Sequence, residues 1–389
     1  MSIKKDALHN AQQLLFQAFR DADHQLPERL LILEDPTGYL ARQAHQLFPN
    51  AKIDLYLKDF RRYLALSQHF ANNSQVTVHP SVLPNAHEQY DAALLTVPKG
   101  RYFTRKLFTV IKRALKPNTP LYLVGQTQLG AKSIIKDATQ FLGSGETTII
   151  KKHCRVGTCY KSDQTKQTRW QNDPGLILDS YHTYDLSSTD TTVSHRTLPG
   201  IFSWEHLDNG SAMLLDHLSS ELVQGKTVWD VGCGSGILGL ASAQLGAKHV
   251  YLSDIDLLAL SCTWENASTQ SLQDRISIGA ADAAMSFYPA TCDAHNPYPQ
   301  LQFDLQNPIN PESIDLMITN PPYHQGHEQN ITMMQRLLES ARPHLAKDGQ
   351  LLIVANTFLP YAKMLKHAGY DAQVLHRTNT FSIHQAQIN

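Results

Sequence analysis

The chain has 389 residues, enough for two units of ordinary domain size, each with its own core. With 42% hydrophobic and 18% charged residues it reads as a soluble globular protein, and no apolar run approaches the ~20 residues that would span a bilayer. A formal net charge of −1 excludes an overall basic field for nucleic acid, so any such contact must be local.

The first 19 residues have leucine and phenylalanine at helical spacing but no export signal, so a cytoplasmic protein is expected. Cys154, Cys159, Cys233, Cys262 and Cys292 are scattered and contain no C-x-x-C pair, which reads as reduced thiols and gives no reason to expect a metal.

Strand-like runs fall at residues 30–33, 53–57, 92–96 and 121–124, separated by amphipathic segments. They recur in the same order at 227–231, 249–253, 315–319 and 351–354. The alternation predicts an α/β fold with two tandem Rossmann-like domains, and the repetition points to an internal duplication. Three local matches support it: AKIDLYLKD with AKHVYLSD, YDAALLTVPK with IDLMITNPPY, and LKPNTPLYLV with LAKDGQLLIV. The copies differ where chemistry would sit. A glycine cluster at 232–236 faces only LEDPTG at 33–38, and the first half has Thr96-Val97-Pro98-Lys99 opposite Asn320-Pro321-Pro322-Tyr323. The first half therefore reads as a degenerate copy.

Residues 151–169 gather Lys151, Lys152, Arg155, Lys161, Lys166 and Arg169 against Asp163 alone, and read either as a solvated hairpin or as a local RNA contact. Residues 161–197 are rich in Ser, Thr, Asp and Gln and read as a connector, with a boundary near 190 dividing 1–190 from 191–389. A second irregular stretch, 288–311, holds five prolines, which exclude a regular helix or central strand and predict a long loop, either a lid or a disordered excursion.

Residues 227–231 run into Gly232-Cys233-Gly234-Ser235-Gly236 and then a helical pattern, the first β-turn-α of a nucleotide-type fold. Gly234, Gly236 and Gly239 also satisfy G-x-G-x-x-G, which fits a dinucleotide or S-adenosyl-L-methionine. Asp230 disfavours a pyrophosphate and suits the cationic methionyl end of the latter. Asp254, at the end of the next strand, is placed to accept the ribose hydroxyls, or else to cap a helix. Asp282 follows a strand candidate at 275–278 and is the candidate for the adenine amino group, with a surface role as the alternative.

Asn320-Pro321-Pro322-Tyr323 ends the fourth strand of the same unit, at the carboxyl edge where ligands bind in such folds. The Asn320 side-chain oxygen and the Pro321 carbonyl can accept both hydrogens of one amino group, and Tyr323 can stack on a planar base. The implied chemistry is methyl transfer from a sulfonium to an exocyclic nitrogen, which needs alignment and stabilisation of growing positive charge. His324 and His327 lack a third ligand nearby, and no metal site is assigned.

These residues resemble bacterial ribosomal RNA guanine-N2 methyltransferases, in particular the small-subunit 16S family built from two tandem methyltransferase-like domains. The resemblance spans nearly the whole chain. It is most specific at 198–203 with 207–211, at 230–236, at Asn320-Pro321-Pro322-Tyr323-His324 and at 353–361. It implies that Gly200 to Ser203, with Phe202, and Asp208 to Ser211 border the donor. It further implies that Pro322 and His324 belong to the acceptor side, and that a non-catalytic first domain holds RNA, with Lys151, Lys152 and Arg155 as candidates. The acceptor it implies is guanine N2 of ribosomal RNA in the small subunit, acted on by a monomer away from any membrane. Two departures stand out: Tyr323 where phenylalanine is common, and the longer 288–311 stretch. Alternatives left open are a guanine of large-subunit RNA, adenine N6, glutamine N5, and a non-catalytic RNA-binding assembly factor; a nicotinamide dehydrogenase fits the turn least well.

Overall fold

Short apolar runs buried on both faces become parallel strands, and the amphipathic segments between them become the covering helices. The computed structural model describes residues 2–22, 26–84, 88–162, 168–177, 180–187, 192–293, 299–321 and 327–388. Two compact units result: Met1–His182 with Leu198–Gly200, and Thr183–Thr197 with Ile201–Asp293 and Pro299–Asn389.

The first unit contains β1 (Arg29–Leu33), β2 (Lys52–Tyr56), β3 (Val76–His79), β4 (Ala92–Thr96), β5 (Pro120–Gln126), β6 (Gly143–Lys151) and β7 (Cys154–Lys161). They form one sheet in the order β3-β2-β1-β4-β5-β7-β6, with β6 and β7 antiparallel and the rest parallel. A small two-stranded sheet of β8 (His182–Ser187) and β9 (Thr192–Thr197) follows.

The second unit contains β10 (Thr227–Val231), β11 (His249–Asp254), β12 (Ile276–Ala280), β13 (Tyr288–Asp293), β14 (Gln300–Phe303), β15 (Ile314–Thr319), β16 (Leu345–Asn356), β17 (Tyr370–Arg377) and β18 (Phe381–Ile388). Its sheet order is β14-β13-β12-β11-β10-β15-β16-β18-β17. Without β13 and β14 this repeats the first sheet strand for strand, as the proposed duplication requires. Trp229, Phe287, Met317, Leu351, Tyr361 and Tyr370 form part of its core.

The repetition reaches individual side chains. Asp91, before β4, accepts the Arg29 amide at the start of β1 at 2.8 Å, and Asp315 accepts the Thr227 amide at the start of β10 at the same distance. Asp59 and Asp256 each cap the helix after the second strand. That pairing corrects the sequence match that set Asp59 beside Asp254. In β-sheet register Leu33 faces Tyr56 and Val231 faces Ser253, so the counterpart of Asp254 is the buried Leu57.

The 288–311 stretch is not a long loop. β13 and β14 form an antiparallel hairpin on the outer edge of the sheet, against β12. Among the described residues only Pro289 of these prolines stands within a strand, at the second position of β13 opposite Gly279, and the parallel strands at the centre of the sheet hold none. Among the described residues no helix is long and apolar enough to cross a membrane.

Gly239 packs the helix Ile237–Gln244 onto the sheet, and a Cβ there would lie 2.5 Å from Leu252 Cδ2. Gly239→Ala is expected to destabilise the protein by about 1–3 kcal/mol through overpacking. Chemical denaturation monitored by Trp fluorescence measures this; a stability equal to the parent's would show that the helix can slide away from β11 without loss.

Candidate active site

The turn after β10 needs three glycines for a backbone reason. Gly232, Gly234 and Gly236 have φ of 74°, 56° and 92°, the left-handed region. A Cβ on Gly232 or Gly234 would meet nothing within 4 Å, so the turn faces open space there. The amides of Gly232 and Cys233 both donate to the Ser253 carbonyl, at 2.8 and 2.9 Å, which locks the turn to the end of β11.

Asp230 lies deeper than its sequence position suggests. It is 1% exposed, and its Oδ2 accepts the Gly239 amide at 2.8 Å, behind the turn rather than on its surface. A carboxylate in that position bears on the space over the turn through its field. Asp254 is half-buried and reaches the turn itself: its Oδ2 accepts the Gly234 amide and its Oδ1 the Asp256 amide, both at 2.9 Å. Each oxygen keeps a second lone pair for a hydroxyl. Burial pushes the Asp230 carboxyl up to about 7, with Asp254 adding repulsion, and pushes Asp254 up to about 6, with Asp256 adding to it. Two carboxyls destabilised in their ionised form are suited to a cationic partner.

Asn320 follows β15 at the carboxyl edge of the sheet. Its Nδ2 donates to Asp208 Oδ2 at 2.9 Å and to Ser211 Oγ at 2.8 Å. A carboxylate only accepts, so this contact sets which way the amide faces and commits Oδ1 to the remaining role of acceptor. Asp208 also caps the helix Asn209–Leu215 through the Ser211 amide, at 3.1 Å. A Cβ on Gly210 would fall 3.4 Å from both Asn320 Oδ1 and Nδ2. Pro321 is buried beside it, while Pro322, Tyr323 and His324 lie outside the described residues.

The remaining expected residues are placed as follows. Asp282 follows β12, and its Oδ2 is 2.8 Å from the Arg336 guanidinium, so an adenine amino group would share that carboxylate with an arginine. Phe202 is 47% exposed. Lys151, Lys152 and Arg155 stand at the β6–β7 hairpin, the first of the two forms read for this stretch; Lys152 Nζ donates to Asn10 at 2.7 Å, and Arg155 is partly buried. Among the described residues no group of three His, Cys, Asp or Glu could hold a metal.

Three residues near the site were not assigned from sequence. Asn266, buried in the helix Leu257–Thr269, donates to the carbonyls of Ser235 and Arg196, at 3.0 and 2.9 Å, and accepts the Arg196 amide at 2.8 Å. It pins β9 to the glycine turn. His195, on that strand, sits 2.8 Å from Ser235 Oγ, and burial lowers its pKa to about 3, so it is a neutral ring. Asn356 ends β16, next to β15, and its Nδ2 is buried with no hydrogen-bond partner among the described residues. Glu265, Ser268 and Thr269 beside it in the helix are polar too and more exposed, so nothing local in the sequence singles out Asn266 as the buried one.

The first unit has the same turn, closed by its own side chain. Gly38 keeps the left-handed φ of 68°, but Asp35 projects inward and accepts the amides of Tyr39 and Ala41, each at 3.1 Å, and Gln12 Nε2 at 2.8 Å. It is fully buried, and burial raises its pKa.

The family described as "Methyltransferase small domain N-terminal" matches residues 18–172, and that described as "Methyltransferase small domain" matches 192–297 and 281–385. The chain belongs to this methyltransferase family. Among its relatives is a ribosomal RNA small subunit methyltransferase C of Pseudomonas putida, 29% identical over 324 residues, covering 82% of this chain and 85% of the relative. The protein of that description from Hahella chejuensis is 27% identical over 373 residues, covering 95% and 97%. Among solved structures, a T. thermophilus 16S rRNA N2 methyltransferase in complex with AdoMet and guanosine matches with a TM-score of 0.71 at 22% identity, covering 98% of this chain and 92% of its own. That likeness shows that the tandem fold extends through both units.

The raised Asp230 carboxyl carries a pH signature. As pH rises from the ordinary 3.8 toward about 7, the unfolded chain gives up this proton before the folded one does, so the ligand-free protein loses stability across that window. Asp230→Asn keeps an acceptor for Gly239, and is expected to raise the melting temperature by about 3–6 °C near pH ~8 with little change near pH ~4. Thermal denaturation at both pH values tests it; equal shifts at the two would show that Asp230 does not titrate in the folded state.

Proposed function

We propose that this chain transfers a methyl group from S-adenosyl-L-methionine to the exocyclic N2 of a guanine in small-subunit (16S) ribosomal RNA. The observation that carries the reading is the orientation of Asn320, whose amide nitrogen is occupied by Asp208 and Ser211 so that Oδ1 is left to accept from a substrate amino group. The glycine turn and Asp254 suit the donor: open space over Gly232 and Gly234 admits it, and the Asp254 oxygens can accept its ribose hydroxyls. When bound, S-adenosylmethionine supplies an electrophilic methyl on a sulfonium.

The residues of this chain then have three tasks. Asn320 Oδ1 and the Pro321 carbonyl accept the two amino hydrogens, which turns the nitrogen lone pair toward the methyl and lowers the energy of positive charge developing on nitrogen. Asp208 and Ser211 hold Asn320 in that orientation without touching substrate. The orphaned Asn356 amide donates to the carbonyl oxygen of the base, a contact that favours guanine over adenine. Tyr323 stacks on the base, which must leave any helix to enter, at a cost of a few kcal/mol. The first unit, with Lys151, Lys152 and Arg155, offsets that cost by holding RNA. Residues 1–190 thus serve as the RNA-holding domain and 191–389 as the catalytic one, in a cytoplasmic monomer.

Transfer of labelled methyl to purified small subunits, large subunits, free ribosomal RNA and DNA, followed by nucleoside analysis, tests the reading. N2-methylguanosine in small-subunit RNA is expected; label in large-subunit RNA or in adenine overturns it. Asn320→Ala is expected to lower kcat about a hundredfold or more with donor affinity retained, and Asp208→Ala about 10–100-fold through loss of orientation. Weakened donor binding in either variant, read by calorimetry, would contradict these roles. Asn356→Ala is expected to raise KM for RNA about 5–10-fold, the loss of one hydrogen bond to the base; an unchanged KM removes Asn356 from base recognition.

A further inference from the structure

The first unit has a closed donor turn but an open cavity beside it. The cavity has a volume of about 340 Å³ and lies at the carboxyl ends of β4 and β5, bounded by Val97, Pro98, Gly125, Leu129 and Ile134, and by Leu8 and Ala11 of the helix Ser2–Arg20. Its size falls within the ~300–1,000 Å³ of small-ligand sites. Strand register gives its position a meaning. Asp91 matches Asp315, so Thr96 matches Asn320, and Gln126 matches Asn356, by the pairing of Thr96 with Val124 and of Thr319 with Ile353. The cavity is the counterpart of the acceptor side of the second unit.

Thr96 lines it. The residue is 9% exposed, and its Oγ1 is buried with no hydrogen-bond partner among the described residues. A buried hydroxyl without a partner is costly, so a ligand able to bond it is favoured. The rim is cationic: Lys99 and Arg101 line the mouth, the helix Ala131–Leu142 presents its N-terminus there, and no carboxylate among the described residues belongs to the lining. Arg101 is shared with Asp137 at 3.0 Å, which leaves Lys99 as the main charge. A largely apolar chamber whose lining includes the Thr96 and Ser133 hydroxyls and the Gln126 amide, with a cation at the mouth, matches a nucleobase carrying a phosphate.

We propose that the first unit binds one unstacked nucleotide of the substrate RNA in this cavity, its base against Val97, Pro98 and Ile134 with an edge on Thr96 Oγ1, and its phosphate on Lys99. The assignment rests on the reading of the second unit as an RNA methyltransferase. It makes the degenerate copy a second base-binding site that grips the RNA without chemistry.

Methyl NMR of the full-length protein, following the Ile134 and Ala131 methyls, tests this with guanosine 5′-monophosphate, guanosine, ribose 5-phosphate and a short single-stranded oligoribonucleotide. The monophosphate is expected to move both methyls in a saturable way, and the oligoribonucleotide to do so at lower concentration. Lys99→Ala should weaken monophosphate binding about fivefold while leaving guanosine unchanged. Val97→Trp should fill the cavity and abolish the shifts. Methyls that stay still at millimolar monophosphate overturn the proposal, as do equal shifts with ribose 5-phosphate, which would mean an anion site without a base. Tighter binding of the free monophosphate than of the oligoribonucleotide overturns the assignment to RNA. Ile134 shifts in a protein that transfers no methyl group would sink only the reading of the second unit; transfer with Ile134 unmoved would sink only this one.

Discussion

The first amides of a helix have no partner within it, and the two units answer that constraint in opposite ways. In the second unit, Asp230 takes the Gly239 amide from behind, and the amides of Ile237 and Leu238 receive no side-chain cap. In the first, the register counterpart of Asp230 is Ile32, and the carboxylate has moved into the loop as Asp35, where it takes the Tyr39 and Ala41 amides itself. One arrangement leaves open space over Gly232 and Gly234, and the other turns a carboxylate inward to the helix amides. The exchange of Asp254 for Leu57 follows the same direction, since the carboxylate that takes the Gly234 amide in the second unit has no counterpart in the first.

On the acceptor side the determining feature is an orientation. An asparagine amide has two chemically different ends that a simple rotation interchanges, and a catalytic role for one end requires the other to be held. Asp208 does this across 112 positions of sequence, while also capping the helix that carries Ser211. On the proposed function, stability and chemistry meet in one carboxylate, and the segment before β10 belongs with the turn that bears Asn320.

Much of this was legible in the sequence because parallel strands buried on both faces are continuous apolar runs. Residues 92–96 and 227–231 matched β4 and β10 without error, and the glycine turn and Asn320 announced themselves by backbone requirement and position. β3 escaped because only Val76 is buried in a four-residue strand. The β13–β14 hairpin escaped because the two strands are short and lie among prolines, of which only Pro289 falls within a described strand. Asp59 was set against Asp254 because both end a similar run; only sheet register shows Asp59 to be the cap that matches Asp256. The bonds of Asn266, the depth of Asp230 and the orphan amide of Asn356 depend on contacts distant in sequence that local patterns do not carry.

The closed turn of the first unit also explains why such a copy stays inert once it has become so. Glu34 and Pro36 now occupy the places of Gly232 and Gly234, and Pro36 cannot adopt the φ of 56° found at Gly234. Removing Asp35 alone would strip two helix amides and Gln12 of their acceptor without opening a usable site. Each single step back toward a donor pocket thus lowers stability before any binding returns. The unit behaves as a ratchet, free to drift on its surface and in its remaining cavity but barred from reversing one residue at a time.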